Sequence, residues 1–224
     1  MDTLSAKIPA QVVIGCRPQQ GQKMLELGPE LFELLNTKQL TGNQTPVIYG
    51  TGGLSDSEIA TIENLVGFQL PDDFAYLLAN MRDAGGVMFP WSGFKKQDYD
   101  DSIGRVLEGI EFDIEHGFWM DRWGKRPAAL PTAIDIARKD FATWPRLLPV
   151  SGHRFLAAEP CRVGNPVFSI HQTDIIYYGA NLAHYLVNEF VDHDWKLHAH
   201  DQPIHKIVIW SDFAEGIFLN HGAG

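Results

Sequence analysis

Hydrophobic residues recur every three or four positions in five segments of the chain, which is the spacing that buries one face of an α-helix. The segments are residues 28–40, 55–67, 70–81, 131–145 and 181–190. In the third segment the apolar positions Phe74, Leu77, Leu78 and Met81 fall at i, i+3, i+4 and i+7. The pattern therefore predicts five helices, each with a stripe of residues that faces a core.

Local signals at the start of these segments support the helices. Pro71 suits a first helical turn, where its missing N–H would have no partner. Ser55 and Glu58 have the spacing of a capping box, in which each side chain accepts the other residue's backbone N–H. Thr132 and Asn181 are predicted N-cap residues of the last two helices.

Runs rich in β-branched and aromatic residues predict strands near both ends and between the last two helices. The runs are TPVIY at 45–49, RLLPV at 146–150, HRFLAA at 153–158, PVFSIHQTDIIYYG at 166–179 and HKIVIW at 205–210. Since the helices come first and last and most strands are grouped, we predict the α+β class: a single central, mostly antiparallel sheet with helices packed around it. We expect residues 1–50 to form an N-terminal extension on a domain of residues 51–224, and the two together to make one compact unit.

Composition and charge narrow the classes of partner. The 224 residues include 28 acidic and 18 basic side chains, which gives a net charge of -10. This charge would repel the phosphates of nucleic acid and would suit a basic partner. The apolar run at residues 12–14 is too short for a signal peptide core or a membrane span, so we expect a cytoplasmic protein without a membrane partner.

Two neighbouring segments supply a predicted partner-binding surface. EFDIE at residues 111–115 alternates acidic and apolar residues, which predicts a strand with its three carboxylates on one solvated face. HGFWMDRWGKRP at residues 116–127 combines tryptophan and arginine, which are enriched at interface hot spots, although large aromatic residues are also common in cores. The predicted surface comprises Glu111, Asp113, Glu115, Trp119, Asp121, Arg122 and Trp123.

Other motifs point to chemistry less specifically. If the chain held a metal, the ligands would come from Asp192, His193, Asp194, His198 and His200, but their spacing matches no zinc signature, and we predict no metal and no cofactor. YGTGGLS is a glycine turn between a strand and a helix that could present N–H groups to an anion, yet it lacks the nucleotide-binding glycine patterns. Ser151 and His153 share a strand without a third orienting group.

The paired acids Asp72 and Asp73 follow Pro71 directly. Adjacent side chains on a helix are about 100° apart, so they do not converge on one atom as an acid and base pair must. We interpret both as first-turn acids that complement the helix dipole, and we predict no catalytic residue here.

The segment IENLVGFQLPDDFAYLLANMRDAGGV resembles the opening of the SUKH superfamily, the group around the fungal Smi/Knr cell-wall-synthesis regulators. Glu63 corresponds to the helix acid of that family, residues 70–74 to its Leu-Pro-x-Asp-Phe motif, and Gly85 and Gly86 to its terminating glycines, whereas Ala84 replaces the usual Asn. The segment from LLPV at residue 147 to NEF at residue 190 resembles a bacterial branch of the family.

The resemblance implies a non-enzymatic α+β binding domain, which in bacteria is commonly an immunity protein that neutralises a polymorphic toxin such as a nuclease. Such toxins tend to be basic, which agrees with the acidic charge of this chain. Two alternatives stay open: a metal-dependent hydrolase that uses the C-terminal Asp/His cluster, and a regulator of cell-wall or carbohydrate metabolism. Partner identity and oligomeric state do not follow from the sequence.

Overall fold

A computed structural model describes residues 27–38, 47–83, 85–191 and 203–218. The helices in these residues are α1 (Pro29–Lys38), α2 (Asp56–Val66), α3 (Asp72–Ala79), α4 (Lys96–Glu115), α5 (Leu130–Phe141), α6 (Leu182–Phe190) and α7 (Trp210–Ala214), with a 3-10 turn at Asp121–Trp123. The strands are β1 (Val47–Tyr49), β2 (Met81–Asp83), β3 (Leu147–Ser151), β4 (Arg154–Ala157), β5 (Val167–His171) and β6 (Asp174–Gly179). The α+β class is confirmed. None of the described helices has both the length and the apolar composition needed to cross a membrane.

The strands lie in two antiparallel sheets rather than in a single one. β1 pairs with β2, and β3, β4, β5 and β6 form a four-stranded meander in chain order. The long run at residues 166–179 is a hairpin of two strands, β5 and β6, because the chain turns at Gln172, whose φ is 57°. The four-stranded meander is the larger sheet, and it separates the two cores.

Each face of the meander sheet is covered by its own hydrophobic core. The first core joins Leu148, Leu156 and Val167 of the sheet to α1, α2, α3 and α6. The second core joins Phe155 and Phe168 to α4, α5 and α7. Successive residues of a strand point to opposite faces, so the neighbours Phe155 and Leu156 belong to different cores. α1 packs within the first core, and β1 pairs with β2. Both α1 and β1 belong to the predicted N-terminal extension, so its described residues contact the rest of the fold.

Several helix starts confirm the local predictions. The Ser55 Oγ accepts the Glu58 N–H at 3.4 Å, and the Glu58 carboxylate accepts the Ser55 N–H at 2.8 Å, which completes the capping box of α2. The Asn181 side chain accepts the His184 N–H at 2.9 Å and caps α6. These contacts span at most three residues, so the sequence alone could specify them.

Three local predictions were wrong. Residues 111–115 are not a strand but the last turns of α4, whose buried stripe is Tyr99, Ser102, Val106, Ile110 and Ile114. This spacing of three or four residues continues through EFDIE and overrides the short alternation. HKIVIW forms no strand: residues 205–207 have no regular structure, residues 208–209 form a turn, and α7 begins at Trp210. Thr132 lies inside α5, which begins two residues earlier at Leu130.

Candidate functional site

The three predicted acids of EFDIE do not all share a face, because Asp113 is about 200° from both Glu111 and Glu115 on the helix. Glu111 binds Arg138 of α5 through two contacts of 2.6 Å and 2.9 Å. One Asp113 oxygen accepts the Thr173 N–H at 2.8 Å and the Thr173 hydroxyl at 2.6 Å. Glu115 is exposed. Glu111 and Asp113 therefore hold α4 to α5 and to the β5–β6 turn, and the prediction that all three carboxylates lie on one strand face is wrong.

The predicted aromatic anchors are half-buried at the edge of the second core. The Trp119 and Trp123 rings meet edge to face with centroids 4.9 Å apart. The Trp123 indole N–H donates to Asp140 at 2.9 Å, and the Arg122 guanidinium donates to the other oxygen of Asp140 at the same distance. The Trp144 indole N–H also donates to Asp140, at 2.8 Å. Asp140 thus fixes the tryptophan segment onto α5.

The exposed side of α4 presents a different surface, which we name the acidic α4 face. It consists of Asp101, Glu108, Phe112 and Glu115, which recur at i, i+7, i+11 and i+14 and are all exposed. Arg105 is exposed on the same side. The Phe112 side chain is 47% exposed and packs against the His116 ring with centroids 4.1 Å apart. Of the predicted binding residues, Glu115 lies on this face.

The sequence contained a signal for this face. The buried stripe of α4 repeats every three or four residues over the sixteen positions from Tyr99 to Ile114, a longer pattern than the five-residue alternation at EFDIE. A prediction that gave the longer pattern more weight would have assigned a helix here. Asp101 and Glu108 would then have been predicted on the same exposed side as Glu115.

The C-terminal residues named as ligands in case the chain held a metal, at positions 192–200, lie outside the described residues. Within the described part of the chain, no group of three or more His, Cys, Asp or Glu side chains could hold a metal ion. The Ser151 hydroxyl donates to the Val87 carbonyl at 2.6 Å, while His153 is exposed. Ser151 thus fixes the 87–91 segment against β3.

Asp72 and Asp73 differ sharply in environment. Asp72 is exposed, whereas Asp73 is 0% exposed and accepts the Gly164 N–H at 2.9 Å and the Phe74 N–H at 3.0 Å. Burial raises the pKa of Asp73 to about 6, although the hydrogen bonds from Gly164 and Phe74 oppose the rise. Asp73 therefore tethers α3 to a loop ninety-one residues further along the chain.

Another cluster of polar and charged groups lies on the face of the meander sheet that the first core covers. The Arg154 guanidinium stacks 3.8 Å from the centre of the Tyr178 ring and donates to Ser169 at 3.0 Å. Arg154 Nε, Glu189 Oε2 and the Tyr185 hydroxyl are buried without a hydrogen-bond partner among the described residues. These three atoms expose almost no surface, so a ligand from solvent does not reach them in this conformation.

Comparison of the chain with protein-family models, with curated proteins and with solved structures found no match.

Proposed function

We propose that the protein is a non-enzymatic, cytoplasmic binding protein that neutralises a basic toxin domain, and that it binds this partner with the acidic α4 face. The observation that carries the proposal is an exposed helix side with three carboxylates, of which Glu108 and Glu115 lie within about one turn of the half-exposed Phe112. An exposed aromatic residue with a charged surround has the composition of a protein interface, in which the ring fills a pocket and the charges lie at the rim.

The overall charge supports the same type of partner. With a net charge of -10, the chain would attract a basic domain over a distance and raise the rate of association. A toxin that acts on nucleic acid needs a basic surface for its substrate, and an acidic partner could cover that surface. The affinity should therefore weaken as salt concentration rises.

The resemblance to the SUKH superfamily supports a binding role. The Leu-Pro-x-Asp-Phe motif at residues 70–74 is largely buried, which suits a structural rather than a catalytic role. Leu70, Asp73 and Phe74 are at most 3% exposed. The Glu63 carboxylate accepts the Leu70 N–H at 2.9 Å and joins α2 to the start of α3. In this proposal the motif builds the fold, and the partner is selected by surface residues elsewhere.

The test is binding to the toxin-like protein that a neighbouring gene encodes. The variant Glu108→Lys/Glu115→Lys reverses two charges of the acidic α4 face, and Glu30→Lys reverses an exposed charge on α1 as a control. Calorimetry should show a complex that the double variant weakens at least tenfold, about 1.4 kcal/mol, whereas the control should stay close to the wild type.

Two results would count against the proposal. If gel filtration finds no complex with any neighbouring gene product, the protein is not an immunity protein of this kind. If a complex forms and the double variant binds as tightly as the control, the partner binds at another surface.

A further inference from the structure

A cleft lies between the glycine turn at residues 50–53 and the segment at residues 86–92. We name it the glycine cleft. Its volume is about 220 Å³. At roughly 30 Å³ for one water molecule, this space is on the order of seven waters, enough for a small single-ring molecule. One wall is apolar, with Met88, Phe89 and Trp91, and the other carries Gly52 and Arg82.

Arg82 is a basic residue in the lining of this cleft, which also contains the acids Glu58 and Asp83. Its side chain is exposed, and its guanidinium makes no hydrogen bond or ion pair with any described residue. The side chain runs along the glycine turn, since a Cβ added to Gly52 would lie 3.5 Å from Arg82 Cδ. Because Gly52 has no side chain, the Arg82 side chain can lie close to the Gly52 backbone.

The backbone of the glycine turn also has free donors. The Gly50 N–H donates to the Asn80 carbonyl at 2.6 Å and the Leu54 N–H to the Leu78 carbonyl at 2.8 Å, which fixes both ends of the turn. Between them, the N–H groups of residues 51–53 have no acceptor among the described residues. Gly50 and Gly52 have φ values of 88° and 75°, and successive N–H groups in such a turn form concavities that bind anions.

The two acids that line the cleft accept hydrogen bonds from nearby backbone and hydroxyl groups. The Glu58 carboxylate accepts the Ser55 N–H at 2.8 Å and the Ser55 hydroxyl at 2.7 Å. The Asp83 oxygens accept the N–H of Gly85 at 3.0 Å and that of Met88 at 2.6 Å. Both carboxylates therefore accept local N–H groups, which leaves their charge in the cleft, whereas the Arg82 guanidinium has no hydrogen-bond partner among the described residues.

We propose that the glycine cleft binds a small organic anion: a carboxylate attached to a single aromatic ring. The carboxylate would accept paired hydrogen bonds from the Arg82 guanidinium, because both groups are planar. It would also accept hydrogen bonds from the N–H groups of the turn. The ring would pack on Phe89 and Met88 of the apolar wall. This activity is separate from toxin binding and does not depend on it.

Phenylacetate is the probe, and calorimetry with ligand-observed NMR is the measurement. Three matched compounds test the parts of the site: acetate lacks the ring, 2-phenylethanol lacks the charge, and phenethylamine reverses it. Phenylacetate should bind with a Kd in the millimolar range or below, and each matched compound at least tenfold more weakly. Arg82→Gln should weaken phenylacetate at least tenfold, and Arg82→Lys by less, because lysine keeps the charge but loses the paired geometry.

Arg105→Gln is the control, because it removes another exposed arginine, on the outer side of α4. It should bind phenylacetate as the wild type does. The proposal is overturned if phenylacetate does not bind at about 10 mM. It is equally overturned if 2-phenylethanol binds as tightly as phenylacetate, or if Arg82→Gln and Arg105→Gln have the same affinity.

Discussion

Asp73→Asn should change how the stability of the protein depends on pH. The Asp73 carboxyl group is fully buried, and its pKa is raised from 3.8 to about 6. The folded protein therefore keeps a proton on Asp73 at pH values where the unfolded chain has released it. Because the folded state binds this proton more tightly, the contribution of Asp73 to stability falls as pH rises from about 4 to about 6, and then levels off.

The size of the effect follows from the two pKa values. Each pKa unit corresponds to about 1.36 kcal/mol, so the change from 3.8 to about 6 corresponds to about 3 kcal/mol between acidic and neutral pH. The amide introduced by Asp73→Asn would not titrate, so the variant lacks this pH-dependent part. It should also carry a constant loss of about 1–3 kcal/mol, because an amide can accept only one of the two N–H groups that Asp73 accepts.

The assay is urea unfolding of the wild type and the variant at pH 4 and at pH 7.5. The free energy of unfolding of the wild type minus that of Asp73→Asn cancels the titration of all other groups. This difference should be smaller at pH 7.5 than at pH 4, by about 2–3 kcal/mol, since part of the full effect is already lost at pH 4. Asp72→Asn changes an exposed carboxyl group in the same helical turn and controls for the loss of a charge near the helix N-terminus.

A difference that stays constant or grows between pH 4 and pH 7.5 would refute the reasoning. It would mean that the N–H groups of Gly164 and Phe74 stabilise the charged carboxylate at least as much as burial destabilises it. In that case Asp73 would be mostly ionised in this range, and the hydrogen bonds would balance or outweigh the desolvation.

The remaining predictions concern stability. Asp140→Ala removes the shared acceptor of Arg122 and of two indole N–H groups, and it should lower the free energy of unfolding by about 2–4 kcal/mol in urea titrations; a loss below about 1 kcal/mol would contradict its role. Gly179→Ala would place a Cβ 2.7 Å from the Tyr185 Cβ and should cost about 1–3 kcal/mol. Gly104→Ala, in α4 with nothing within 4 Å of the new Cβ, should instead stabilise the protein by about 0.5–1 kcal/mol in the same titrations.

Sequence patterns predicted those elements whose determinants lie close together in the chain. The capping box of α2 and the Asn181 cap of α6 were predicted correctly, because each contact joins residues three positions apart. The prediction failed where a short pattern competed with a longer one. EFDIE alternates like a strand over five residues, but it belongs to a helical stripe that begins at Tyr99.

The candidate site could be predicted only in part for the same reason. Glu115 was correctly identified as a surface acid, whereas Glu111 and Asp113 bind residues of α5 and of the β5–β6 turn. Arg82 and the glycine turn lie about thirty residues apart, and no local pattern indicates that they line one cleft. Their proximity follows from the pairing of β1 with β2, which places the turn after β1 beside β2.

The sequence by itself determined the α+β class, most helix starts and the acidic charge, because these depend on residue type and on spacings within a few positions. Only the tertiary structure decided what individual charged residues do. Glu111, Asp113 and Asp73 find partners 27, 60 and 91 residues away. Such contacts depend on which faces the meander sheet and its helices bring together, and burial then determines whether a carboxylate tethers the fold, as Asp73 does, or lies on the surface, as Glu115 does.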